Sequence, residues 1–146
     1  MVFDNHYECH REKTDSIDFF KHTFITDFSA VYGLKSSDIP RASREESITN
    51  RLPLFSSDFI SHFSVIIVAS GHYVRNFEQL NDLRTVFQGF IHVELVDDDL
   101  GWRNIHYDEA RSRILIHTLH FASAIKDDYL STIAKECSGV LKKFPL

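Results

Sequence analysis

Residues 63–97 show the clearest pattern of hydrophobic and polar positions in the chain. A nearly unbroken apolar run at 63–69 ends in a Ser-Gly-His sequence at 70–72. Apolar side chains then recur at helical spacing through 76–87, and strict apolar alternation follows at 90–96. The pattern predicts a strand, a helix and a second strand, and a short crossover of this kind joins parallel strands. We therefore expect the two strands to be neighbours that point in the same direction.

Amphipathic patterns also precede this unit. From Asp15 or Ser16 to Gly33, apolar residues recur every three or four positions, which predicts a helix with a polar N-cap and a glycine at its end. Residues 42–51 favour a short, mostly exposed helix that ends before Pro53.

The second half of the chain predicts a hairpin and a closing helix. Strands at 102–109 and 113–121 would meet at a turn around 110–112. Helical spacing through 124–143 predicts a final helix, in which Gly139 is the weak point because glycine has a low helix propensity.

Together these elements predict one compact α/β (α+β) domain at 15–146, preceded by a loose N-terminal arm at 1–14. The domain would hold a mixed sheet of about four strands, flanked by an N-terminal helix, a crossover helix and a C-terminal helix. Its expected core includes Phe24, Phe28, Ile66, Val68, Leu83 and Ile133. The strand at 90–96 would direct Ile91, Val93 and Leu95 toward the same core.

Composition mainly excludes classes of function. The 146 residues carry a formal net charge of −5 without a basic stripe, which argues against nucleic-acid binding and favours a basic protein partner. No apolar run is long enough to span a membrane, and no secretory signal is visible. Cys9 and Cys137 form neither a metal-binding spacing nor a disulfide framework, so a cytoplasmic location is expected. The 13 phenylalanines are compatible with a homodimer.

Polar residues follow the ends of the predicted strands. Parallel strands end at one edge of a sheet, and ligands usually bind at that edge. The first hairpin strand would begin at this edge, and the second would end there. We therefore expect four segments to form one rim, made of Ser70, Gly71, His72, Asp97, Asp98, Asp99, Trp102, Arg103 and His120.

Within this rim His72, Asp98 and His120 are the catalytic candidates. A histidine beside a carboxylate can act as a general base, and paired carboxylates can hold a magnesium-type ion. The binding candidates are Ser70, Gly71, Asp97, Asp99, Trp102 and Arg103. Aspartate runs and Ser-Gly-His sequences also occur as plain turns and strand exits, and no nucleophile motif or phosphate loop accompanies them.

A second constellation concerns metal binding. If the hairpin has a two-residue turn, Asn104 lies across from His117, and His92, Glu94, His106 and His117 share one sheet surface. Three histidines and a carboxylate suit zinc or iron. A one-residue change of register would disperse the group.

Two functions remain open at this point. The first is a small acidic protein that binds a protein partner, as an inhibitor, an immunity-type protein or an adaptor. Trp102 within the acidic rim would be the contact residue, because aromatic residues often dominate binding energy. The alternative is a small hydrolase-type or metal-dependent enzyme that uses the rim. Small size, acidity and the absence of a specific catalytic motif favour the first.

Overall fold

The computed structural model describes residues 23–31, 38–121 and 125–142. Its elements are, in chain order, helices α1 (Arg41–Phe55) and α2 (Asp58–Ser61), strand β1 (Val65–Ala69), two 3-10 helices (Gly71–Asn76 and Glu78–Leu80), helix α3 (Leu83–Phe87), strands β2 (Ile91–Asp98), β3 (Gly101–Tyr107) and β4 (Ile114–Thr118), and helix α4 (Asp127–Leu141). Among these described helices, none is long and apolar enough to cross a membrane.

The four strands form one mixed sheet, which confirms the predicted α+β domain. Their order is β1-β4-β3-β2; β1 and β4 are parallel, and the other two pairs are antiparallel. β1 and β2 point in the same direction, as predicted, but they are not neighbours, because the β3–β4 hairpin lies between them. All five residues of β4 are buried, and a strand buried on both faces takes a central position.

The hairpin register places Asn104 opposite His117, which is the register that a two-residue turn would give. Asp108 organises its turn. One carboxylate oxygen, Oδ1, accepts the backbone N–H groups of Ser112 and Arg113, each at 2.7 Å. A turn fixed in this way sets which residues of the two strands face each other.

Two apolar clusters sandwich the sheet. On one face α4, the predicted closing helix, covers a cluster of Ile105, Ile114, Ile116, Tyr129, Ile133, Cys137 and Val140. On the other face the helices before and after β1 build a second cluster, made of Ile48, Phe55, Ile60, Val68, Val74, Phe77, Leu80, Leu83, Val86, Phe87, Phe90 and Leu115. This second cluster contains no residue of β2 or β3, so it covers only the β1–β4 half of the sheet.

The predicted crossover helix is broken into shorter pieces. Two 3-10 helices and α3 replace it, because Phe77 has an extended backbone and Asp82 caps α3 by accepting the N–H of Arg84. The apolar side chains that suggested the helix are nevertheless all buried: Phe77, Leu80, Leu83 and Phe87.

The predicted helix at 15–33 does not extend through its described part. Residues 23–31 are irregular, and 15–22, like the predicted arm at 1–14, lie outside the described residues. Side-chain contacts with α1 hold the irregular segment, since Ser47 Oγ accepts the N–H of Ala30 at 2.8 Å. A local pattern predicts a helix, but contacts with α1 provide a different set of partners for this backbone.

Helix α1 is longer than predicted, because it continues through Pro53 to Phe55. A proline in the last turn removes only its own N–H from the helix, and Ser56 still donates to the Leu52 carbonyl at 3.3 Å. Phe55 is buried in the core, and its burial favours the extra turn.

The expected core is confirmed in part. Val68, Leu83 and Ile133 are buried, Ile66 and Phe28 are half-buried, and Phe24 is 41% exposed. The prediction for β2 is wrong, because Ile91, Val93 and Leu95 are 58%, 43% and 60% exposed. The strand lies at an edge of the sheet, and a bulge within it breaks the alternation between faces.

Two glycines provide a matched test of the fold. Gly101 begins β3 at φ +143°, and a Cβ there would lie 2.7 Å from Leu119 Cδ1 and 3.2 Å from Tyr129 Cε2. Gly101→Ala should therefore lower the free energy of unfolding by about 1–3 kcal/mol through strain and overpacking. A Cβ at Gly139 meets nothing within 4 Å. Gly139→Ala should therefore raise the free energy of unfolding by about 0.5–1 kcal/mol, because alanine has the higher helix propensity.

Denaturant titration of both variants measures these changes. An unchanged Gly101→Ala would contradict the packing of α4 against the start of β3, and a destabilised Gly139→Ala would contradict the open space beside Gly139.

Candidate functional site

The sheet register brings the predicted rim together. Ala69, Thr118, Arg103 and Val96 form one row across the four strands, from one edge of the sheet to the other. This row lies at one end of the sheet. The chain leaves the sheet there after β1, β4 and β2, and it enters the sheet there at β3. The rim residues lie at one end of the sheet, although two strands separate the segment at 70–72 from Asp97–Asp99.

An aromatic stack occupies the β1 side of the rim. The His72 and Trp102 rings are stacked, with centroids 5.0 Å apart and planes 11° apart. His117 meets Trp102 edge-on at 4.9 Å, and its Nε2 lies 2.8 Å from the carbonyl of Gly71. Burial lowers the pKa of His117. The ring donates to this carbonyl, so the stack of His72, Trp102 and His117 links the exit of β1 to β3 and β4.

The acidic side of the rim is organised by Asp98. Its Oδ1 accepts the N–H groups of Leu100 at 3.0 Å and Gly101 at 3.2 Å, and its Oδ2 pairs with Arg103 Nη1 at 3.2 Å. The hydrogen bond from Leu100 and the Arg103 charge hold the pKa of Asp98 below its usual value. Arg103 is only 5% exposed. Asp98 therefore closes the β2–β3 turn and neutralises a buried guanidinium, and Asp97 beside it is exposed.

The remaining rim residues belong to strand exits. Gly71 has φ +56°, and a Cβ there would lie 3.6 Å from the backbone nitrogen of His120. The exits of β1 and β4 are thus close together. His120 and Asp99 are exposed. Ser70 Oγ is buried and makes no hydrogen bond within the described part of the chain.

Tyr129 is the rim contact that sequence reasoning missed. This fully buried residue of α4 donates its hydroxyl to the carbonyl of Trp102 at 2.6 Å, and it also contacts Thr118 Oγ1. Its position in an apolar stripe marked it only as a core residue. A buried tyrosine hydroxyl usually needs a hydrogen-bond partner. A tyrosine at a buried helix position was therefore the signal that could have predicted a polar contact here.

The four predicted metal ligands are not brought together. His92 lies opposite His106, but the pairing shifts between His92 and Glu94, so that Glu94 lies opposite Ile105 on the α4 face. A bulge of this kind turns the following side chain to the other face. Within 23–31, 38–121 and 125–142, no three His, Cys, Asp or Glu side chains are placed to hold a metal ion.

His92 and His106 remain as a cross-strand pair on what we call the histidine face, the β2–β3 half of the sheet surface opposite α4. Their ring centroids are 5.1 Å apart. Burial, reinforced by the nearby His92, lowers the pKa of His106 to about 4. The ring is therefore neutral at physiological pH.

A surface cleft of about 290 Å³ lies at the opposite end of the sheet from the rim. Its lining consists of Tyr107, Arg111, Lys135, Glu136, Gly139 and Val140. None of the predicted rim or metal residues lines it. Cys137, next to Glu136 in α4, is buried and forms no disulfide within the described residues, and burial raises the pKa of its thiol to about 12.

The geometry of the site was compared with known proteins through the sequence and the fold. No family model matches the chain, and no curated protein or solved structure is significantly similar to it. Function is therefore inferred from the described residues themselves.

The low pKa of His106 predicts that acid destabilises the fold. The unfolded chain binds a proton at this histidine below about pH 6.5, whereas the folded chain does so only near pH 4. The stabilisation is complete above about pH 6.5 and is lost as the pH falls toward 4, with a contribution of at most about 3 kcal/mol. Denaturant titrations at several pH values between about 6.5 and 4 measure the slope of the free energy of unfolding against pH.

His106→Leu should flatten that slope whatever its effect on overall stability, and His62→Asn, at an exposed histidine after α2, should leave it unchanged. Equal slopes in wild type and His106→Leu would contradict the burial of a neutral ring at this position.

Proposed function

We propose that this protein binds a protein partner through the free edge of β2. The partner is an extended, basic segment that adds to the sheet as a further strand. The observation that carries the proposal is the exposure of β2. It is eight residues long, it pairs on one side only among the described strands, and every residue except Val96 is exposed. Unpaired edge strands present backbone N–H and C=O groups to an incoming chain.

The protection that edge strands usually carry is incomplete in β2. Natural edges are shortened, or blocked by lysine, proline or a bulge. β2 has neither lysine nor proline, and its bulge lies between His92 and Glu94. From Glu94 to Asp98 it pairs regularly with β3, so these five positions form a regular edge.

The side chains beside this edge indicate the chemistry of the partner. Leu95 and Asp97 lie opposite Asn104 and Trp102, so both are on the histidine face, two residues apart. An added strand would place an apolar residue beside Leu95 and a lysine or arginine beside Asp97, in either strand direction.

Charge favours a basic partner over a second copy of the chain. The net charge of −5 makes two copies repel and attracts a basic segment. A homodimer through β2 is the competing outcome, and sedimentation of the chain alone would reveal it. The proposal includes a cytoplasmic location, which the buried, unpaired Cys137 supports.

The contacts of Asp98 bear on the hydrolase-type alternative, because Asp98 is one of its catalytic candidates. The contacts that the structure gives to Asp98 are those with Leu100, Gly101 and Arg103, all within the β2–β3 turn. Its carboxylate thus has a structural role in the described geometry, and we do not propose the enzyme.

A capped synthetic peptide of alternating threonine and valine that ends in lysines tests the proposal. We expect it to shift the backbone amide resonances of residues 94–98, because these positions form the regular edge. Leu95→Lys should weaken binding about tenfold or more, since it removes the apolar contact and repels the peptide. The fold should be retained, because Leu95 is exposed.

Two controls accompany this experiment. A peptide that ends in glutamates should not bind, and Ile25→Lys, at an exposed apolar residue outside the sheet, should bind as wild type does. Amide shifts confined to other elements, or equal binding by Leu95→Lys, would overturn the proposal. A dimer that forms without peptide and is lost in Leu95→Lys would assign the edge to a second copy.

A further inference from the structure

The histidine pair on β2 and β3 has the spacing of a metal chelate. His92 and His106 lie directly opposite each other across the two strands, with ring centroids 5.1 Å apart and ring planes at 68°. Directly opposite side chains on an antiparallel pair share one face and lie close enough to bind one ion.

The distance between the ring centroids is compatible with one shared ion. With Zn–N bonds of about 2.0–2.1 Å, the ion lies about 3.2 Å from each ring centroid, and a tetrahedral angle separates the centroids by about 5.2 Å. A square-planar angle of about 90° would separate them by only about 4.5 Å, which is the preference of Cu²⁺. The observed 5.1 Å lies near the tetrahedral value, and the two rings meet edge to face.

The two rings have complementary environments. His106 is only 8% exposed, and its Nδ1 makes no hydrogen bond within the described part of the chain. The neutral imidazole is the form that binds metals. His92 is exposed, so an ion can reach the pair from solvent.

From this geometry we infer that His92 and His106 form a two-histidine site for Zn²⁺, with water completing the tetrahedron. His117 takes no part, because its Nε2 is engaged by the Gly71 carbonyl. The nearby Arg84 guanidinium is paired with the Asp82 carboxylate at 2.9 and 2.8 Å. The site does not depend on the proposed partner binding.

Zinc chloride added to the full chain tests the site. The imidazole nitrogen resonances of His92 and His106 should shift together before those of other histidines. Co²⁺ in place of Zn²⁺ should give the visible absorption of a tetrahedral complex. His92→Asn should weaken Zn²⁺ binding about tenfold or more, because a direct ligand matters at least as much as the groups that orient one.

Stability provides a second readout. Zn²⁺ should raise the thermal midpoint of the wild type by mass action, and this rise should disappear in His92→Asn, which changes only an exposed side chain. His62→Asn, another exposed histidine, should retain both the affinity and the rise. Shifts confined to other histidines, an octahedral Co²⁺ spectrum, or equal affinity in His92→Asn would overturn the site. Each readout uses the chain without peptide, so failure here leaves the proposed partner binding intact.

Discussion

The pairing of β4 on both sides is the interaction on which the rest of the structure depends. Its five residues are all buried, with β1 on one side and β3 on the other. Three successive isoleucine and leucine residues supply both apolar clusters, because Leu115 faces one and Ile114 and Ile116 face the other. Burial on two faces gives more apolar area than any edge position could.

A central strand must also satisfy its polar groups. His117 and Thr118 end β4 and are buried, and each has a partner: the carbonyl of Gly71 for the histidine, and Tyr129 for the threonine. These bonds connect β4 to the exit of β1 and to α4. The rim is therefore a consequence of satisfying the end of the central strand, since buried polar groups need hydrogen bonds.

The same arrangement leaves β2 at the periphery. Within the described residues it pairs with one strand, and it contributes no residue to the second cluster. Both proposals use this strand, but they use different atoms. Partner binding depends on the backbone edge and on Leu95 and Asp97, whereas zinc binding depends on two rings that project from the histidine face. The bulge between His92 and Glu94 separates these regions.

The sequence by itself determined the elements whose signals are local. Helical spacing predicted α4, the turn residues predicted the hairpin, and the polar strand ends predicted the rim. The tertiary structure alone decided that the hairpin separates β1 from β2, that Ile91 and Leu95 are exposed, and that Glu94 leaves the histidine face. The periodicity of a sequence indicates that side chains alternate between two faces of a strand. Which face is covered depends on packing between distant segments, and one extra residue in a strand exchanges the two faces.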